Sequence, residues 1–238
     1  MSNLLWRMTE HKNALAAPIA VSHVNAWHGH IPFAFFITQA LQPRVFVELG
    51  VHMGDSYLAF CQGIRDSGKV GRAYGVDLWT GDAHSGPYEE NVYETLWKYN
   101  QPTFGSFSTL MRMAFDDAAH SFGPEIDLLH IDGFHTYEAV AHDLEVWLPK
   151  MSRRGVILLH DTVVKFADFG VWKKWAELKE ANPCFDFFHS NGLGVMIAGD
   201  DPPELIAGIC RANKEPEGEW IRRYFELLAE RLNSDGPN

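Results

Sequence analysis

The sequence predicts an α/β domain on a doubly wound, mostly parallel sheet that ends in an antiparallel hairpin. Three observations carry this reading. Short apolar runs alternate with stretches of helical periodicity along most of the chain. Several of those runs end in an acid, at Asp77, Asp132 and Asp161. The last two runs are joined through Asn191 and Gly192, a dipeptide that favours the tight turn of a hairpin.

Residues 1–43 read as a helical N-terminal extension. The uncharged run from Asn13 to Pro43 is broken by Pro18, three histidines, Gly29 and Pro32, so it is not a membrane span, and a helix is expected over 33–41. A strand at 44–49 follows and feeds the turn GVHMGDS. Asp55 or Ser56 is placed to cap a helix over 56–65 that Ser67 and Gly68 end. A second strand covers 73–77. Residues 79–105 are polar and aromatic, with a helix at 89–99, and read as an insertion or lid. Its Trp79, Tyr88, Tyr93, Trp97 and Tyr99 either pack on the sheet, the commoner use, or stack on a ligand ring. A strand at 107–111 and a helix at 115–120 come next.

Residues 126–161 form the most informative unit. Ile126, Leu128, Leu129 and Ile131 lead to Asp132, and Val156, Ile157, Leu158 and Leu159 lead to His160 and Asp161. Between them Tyr137, Val140, Ala141, Leu144 and Leu148 recur at helical spacing, with Thr136 placed to cap the start and Pro149 near the end. Strands joined by a crossover helix run parallel, so their carboxyl ends share one edge. Asp132, His135, His160 and Asp161 are therefore expected in one crevice. A helix over 171–180 buries Trp172 and Trp175 and leaves Lys173 and Lys174 in solvent. Strands at 184–189 and 193–198 close the core. The expected division is thus 1–43, a core over 44–199 with the insertion at about 79–105, and a helical tail over 200–238.

A chain of 238 residues with 46% apolar content can bury a full core. Its net charge of -11 disfavours a nucleic-acid surface and suits a neutral or cationic small molecule, or a metal. Cys61, Cys184 and Cys210 lack zinc-type spacing and follow no secretory signal, so a reducing cytoplasm is expected. A homo-oligomer is compatible with everything above.

Glu48, Gly50 and Gly54 form E-x-G-x-x-x-G at the end of the first strand, a turn where glycines let the backbone approach a ligand. It is not the dinucleotide fingerprint, and a turn of this kind can also bind nothing. Asp77 adds weight, because an acid ending the second strand can accept both hydroxyls of a ribose; an ordinary turn acid is the alternative.

VFVELGVHMGDS, AYGVDLW and IDLLHIDGFHTYEAVAHDLEVWLPKMSRRGVILLHDT resemble the successive motifs of class I S-adenosylmethionine-dependent methyltransferases. The likeness covers about residues 44–199. It is greatest to the small methyltransferases of glycan and antibiotic-sugar biosynthesis, including metal-assisted sugar O-methyltransferases. The resemblance implies a seven-stranded sheet and bound S-adenosylmethionine. Glu48 and Gly50 would lie beside the amino-acid part of the cofactor, Asp77 on the ribose, and Ala114 and Phe115 near the adenine. Gly54, Ser56 and Asp132 would complete the cofactor site. His52 departs from the pattern, since a glycine is common there.

Methyl transfer to a hydroxyl aligns an in-line displacement and removes a proton from the acceptor. His135, three residues beyond Asp132, is the expected general base; bonding to a backbone carbonyl is its structural alternative. The matching Asp-x-x-His of the metal-assisted enzymes supplies a metal ligand and the base. Asp132 and Asp161 offer a hard oxygen site for a divalent ion, magnesium or manganese. His160 stands where that group often has another acid, and imidazole suits manganese, iron or zinc better than magnesium. Alternatively Asp161 caps the next turn through Thr162. Asp82 and His84 could reach the site from the insertion or remain solvated. The expected function is O-methylation of a sugar or glycan precursor. A metal-dependent hydrolase using Asp132, His135, His160 and Asp161, or a nucleoside-binding domain without catalysis, are the alternatives.

Overall fold

The computed structural model describes residues 3–69, 71–84 and 86–234. Its main sheet has seven strands: β1 (Val45–Leu49), β2 (Arg72–Asp77), β5 (Ser108–Arg112), β6 (Ile126–Ile131), β7 (Met151–His160), β8 (Cys184–Phe187) and β9 (Leu193–Ile197). Two-residue strands β3 (Gly81–Asp82) and β4 (Gly86–Pro87) pair separately at the tip of the insertion. The order across the main sheet is β5-β2-β1-β6-β7-β9-β8. Only β9 runs against its neighbours, β7 and β8, as the Asn191-Gly192 turn requires.

Register fixes the working edge. Leu49 pairs with Val76 and with Ile131, and Ile131 pairs with Leu159. The next residues of four parallel strands, Gly50, Asp77, Asp132 and His160, therefore emerge side by side at the carboxyl edge.

Helices α5 (Phe115–Ala119), α6 (Tyr137–Trp147) and α7 (Val171–Ala181) contribute to the apolar cluster on one face of the sheet. On the other face lie α2 (Ile31–Leu41), α3 (Asp55–Asp66), α4 (Glu90–Phe104), α8 (Glu204–Arg211) and α9 (Pro216–Ser234). The short α1 (Asn3–Thr9) packs on α8. Residues 31–38 are all buried, because α2 is enclosed by the sheet, α3 and the C-terminal helices. Among the described residues no helix is long and apolar enough to cross a membrane.

Three local expectations differ from the structure. Gly54, in the left-handed region, precedes α3 and no side chain caps it. Asp55 instead accepts from the backbone and hydroxyl of Ser22, and Ser56 donates to Glu48. Helix α4 continues past residue 99 to Phe104, where buried Asn100 accepts from Ser108 and ties the last turns to β5. Strand β7 starts at Met151, since Ser152 and Arg154 find partners in Asp127 and the Leu41 carbonyl.

Asp127 fastens the amino ends of β1, β6 and β7. It is fully buried and accepts from Arg44 N, Nε and an Arg44 terminal nitrogen at 2.8–2.9 Å, and from Ser152 Oγ. Burial alone would raise its pKa; the bonds from Arg44 and Ser152 outweigh this and hold it below the usual value. A depressed carboxylate contributes stability that is present above its unfolded pKa of about 3.9 and fades as pH falls through the lower folded value. Asp127→Ala is expected to cost about 2–4 kcal/mol at neutral pH, read as a lower urea midpoint. Part of that difference should disappear in acid.

Candidate active site

The turn after β1 is built around glycine. Gly50 has φ 84, and a Cβ there would lie 2.0 Å from the Asp132 carbonyl oxygen, so no side chain fits. His52 also takes a left-handed backbone, φ 49. Its departure from glycine in the motif therefore keeps the glycine-like path at a strain of about 1–2 kcal/mol. Asp77 holds this turn: one carboxylate oxygen accepts from Val51 N and His52 N at 2.9 and 3.0 Å, the other from Trp79 N at 2.7 Å. Trp79 is buried and donates its indole N–H to the His52 carbonyl, so this aromatic packs. Tyr88, by contrast, stacks on His52 at 4.5 Å on the cavity wall.

Glu48 lies behind the turn. It shares a strand face with Phe46, is fully buried, and accepts from Ser56 Oγ at 2.7 Å and faces His130 Nδ1 at 3.0 Å. Burial raises its pKa against the opposing pull of His130. Trp27 donates to the other nitrogen of His130 at 3.3 Å. Glu48 is not among the residues that line the two cavities above the turn. Its side chain supports the turn from beneath.

Asp132, His135, His160 and Asp161 do converge. His135 Nε2 is 2.9 Å from Asp161 Oδ2 and 3.7 Å from Asp132 Oδ1. His160 Nδ1 is 3.2 Å from Asp132 Oδ1 and 3.5 Å from Asp161 Oδ2. Asp161 reaches back because its backbone is left-handed, φ 59, and its carboxylate faces the histidines rather than capping the turn at Thr162. Burial pushes His135 down, but hydrogen bonds and charge from Asp132 and Asp161 outweigh it and bring its pKa to about 9. The same contest raises His160 well above its ordinary value. Burial would raise both acids; the His160 charge and the imidazole bonds instead hold Asp132 well below the carboxylate range and lower Asp161. The two imidazoles and the two carboxylates thus each favour the charged form of the other.

Among the described residues, the donor atoms of Asp132, His135 and Asp161 all lie within 4.8 Å of one another, and Asp161 Oδ1 is buried without a partner. The two carboxylates fit a hard divalent ion, with the His135 imidazole beside them. His160 stands beside this set with Nε2 3.0 Å from the Ser190 carbonyl oxygen, a bond that orients the ring.

Two cavities meet over the edge. One, of about 500 Å³, is bounded by the glycine turn, Trp27, Tyr88 and the Asp–His cluster. The other, of about 360 Å³, runs from Asp77 to Ala114, Phe115 and Asp143. They share Gly50, His52, Tyr88, Asp132 and His135. Gly54 and Ser56 line the first, though the Ser56 hydroxyl is committed to Glu48.

Two groups of wall residues escaped the sequence reading. Val24, Ala26 and Trp27 line the larger cavity, on a segment anchored by Ser22 on Asp55 and by Trp27 on His130. Asp143 is buried, with a pKa raised to about 7 by burial. It falls between Val140 and Trp147 on the buried face of α6, and an acid at such a position was the available signal.

Residues 47–162 match a family model described as a methyltransferase domain. The uncharacterized protein y4gI of Sinorhizobium fredii (strain NBRC 101917 / NGR234) is 39% identical over 222 residues, covering 91% of this chain and 24% of that protein. The chain thus spans about a quarter of that relative's length. Among solved structures, cofactor-bound Rv0187 from MTB superposes with a TM-score of 0.56 at 18% identity, covering 84% of this chain and 92% of that one. A Geobacter sulfurreducens methyltransferase gives 0.54 at 14% identity over 83% and 89%. S-adenosylhomocysteine-bound PaMTH1 of Podospora anserina gives 0.51 at 15% over 83% and 88%. These likenesses are of fold.

Proposed function

We propose that this chain, whose residues 47–162 match a methyltransferase-domain model and whose main sheet has seven strands, transfers the methyl group of S-adenosylmethionine to a hydroxyl of a small acceptor. The acceptor proposed is a sugar or glycan precursor. The observation that carries the reading is the meeting of the two cavities at Asp132 and His135. A nucleoside in the Asp77–Phe115 cavity and a methionine chain along Gly50 would bring the sulfonium methyl toward the Asp–His cluster. The acceptor would enter through the larger cavity.

His135 is the group assigned to take the hydroxyl proton. Its Nε2 faces the cavity beside Asp161, within reach of a bound hydroxyl. As the cluster stands His135 is protonated at neutral pH, so the base form needs the charge of the two carboxylates to be answered by something else. Asp132 and Asp161 are the residues that would hold a divalent ion, which when bound would cancel that charge and acidify a coordinated hydroxyl. Asp132 and Asp161 would then orient the acceptor oxygen against the methyl, and the buried walls would exclude competing water.

The test is formation of S-adenosylhomocysteine from S-adenosylmethionine over a panel of nucleotide sugars and glycans. Product with at least one acceptor, lost in excess chelator and restored by magnesium or manganese, is expected. Product that persists unchanged in chelator would remove the metal from the reading. Absence of product with every acceptor, together with metal-dependent hydrolysis of a panel ester, would favour the hydrolase instead.

A further inference from the structure

His84 sits on the insertion, outside every motif that carries the methyltransferase resemblance. Its side chain is only 12% exposed. The backbone N–H of His84 donates to Asp82 Oδ1 at 2.7 Å, which folds the tip of the insertion so that the ring turns inward. That ring packs nearly face-on against Phe134 at 4.5 Å and Phe169 at 4.6 Å. Phe169 also stacks on His135 at 4.7 Å with the planes 8° apart. Both His84 ring nitrogens have partners: Nε2 is 2.7 Å from Asp168 Oδ1, and Nδ1 is 3.2 Å from His135 Nδ1.

We infer that His84 is a positioning residue that fixes the tilt of the His135 ring. The assignment rests on the reading of His135 as the base. A carboxylate only accepts, so the contact with Asp168 takes a hydrogen on His84 Nε2 and the contact with Asp161 takes one on His135 Nε2. Two facing ring nitrogens 3.2 Å apart need one hydrogen between them, so the row Asp168–His84–His135–Asp161 is joined by hydrogen bonds at every step and holds the His135 ring from both sides.

The consequence falls on the opposite side of the His135 ring. With Nδ1 held by His84, Nε2 stays aimed at Asp161 Oδ2, 2.9 Å away on the cavity wall where an acceptor hydroxyl would arrive. Without His84 the ring would be hydrogen-bonded on its Nε2 side alone and free to swing about that contact. Asp168 is 65% exposed, so its pair with His84 adds little stability and serves orientation.

The discriminating variant is His84→Phe, which keeps an aromatic ring against Phe134 and Phe169 and removes both hydrogen bonds. We expect kcat to fall by about 10²-fold. S-adenosylmethionine affinity should stay within about 2-fold, because no cofactor contact is assigned to this ring. A packing role alone would leave kcat of His84→Phe at the wild-type value, and that result overturns the inference.

A second measurement needs neither turnover nor a variant. In the full-length wild-type chain with ¹⁵N-labelled histidine, a nitrogen–nitrogen coupling across the hydrogen bond should link Nδ1 of His84 to Nδ1 of His135. Absence of that coupling overturns the inference even if the variant fails to fold. Its presence supports the bond whether or not an acceptor has been found. Absence of S-adenosylhomocysteine with every acceptor would instead count against the methyl-transfer reading, so the two failures are told apart.

Discussion

His135→Ala is expected to lower turnover by about 10²- to 10⁴-fold while S-adenosylmethionine binds with near wild-type affinity. The split follows from where the residue stands. His135 reaches Asp161 and Asp132 on one side and His84 on the other, and none of the residues that shape the glycine turn depends on it. Removing the imidazole takes away the only histidine nitrogen assigned to the acceptor proton. The carboxylates remain, with His160 still 3.2 Å from Asp132 to balance part of their charge, so the fold should survive. Turnover is read as S-adenosylhomocysteine formed per enzyme at saturating acceptor, and affinity by calorimetry. Equal losses in both quantities would move His135 from the chemistry to the cofactor site.

Gly50→Ala should damage both stability and cofactor binding. At φ 84 an alanine costs about 1–2 kcal/mol in backbone strain alone. Steric overlap costs more: the added Cβ would meet the Asp132 carbonyl oxygen at 2.0 Å and its carbonyl carbon at 2.6 Å. Those are backbone atoms at the end of β6, and Asp132 N donates to the Leu49 carbonyl at 2.8 Å, so neither strand end can give way without breaking the ladder. We expect a total loss of about 3 kcal/mol or more in urea unfolding. The same displacement separates the turn from Asp132, so cofactor affinity should fall by at least about 10-fold. Stability and affinity both within error of wild type would show that the two strand ends are far more pliant than this register implies.

The fold was legible because its signals are local and repeated. Apolar runs ending at Asp77, Asp132 and Asp161 mark strand ends, and the parallel order follows from the crossovers between them. Convergence of Asp132, His135, His160 and Asp161 needed only that topology. What the sequence did not reveal depends on distant partners. Asp55 looked like a helix cap, but Ser22, far away in the chain, takes both of its oxygens. The resemblance placed Glu48 beside the cofactor, and nothing local announced that the parity it shares with Phe46 turns its side chain onto Ser56 and His130. Val24, Ala26 and Trp27 reach the cavity wall through contacts that no periodicity encodes. His84 could only be placed once the loop bearing Phe169 and the insertion were seen against the same imidazole.

Calorimetric titration of the wild-type chain with S-adenosylmethionine, beside the same titration of Gly50→Ala, tests the central claim most directly. Saturable one-to-one binding to the wild type, weakened at least about 10-fold in the variant, is the predicted result. No binding heat at millimolar cofactor, with the wild type folded, would contradict it.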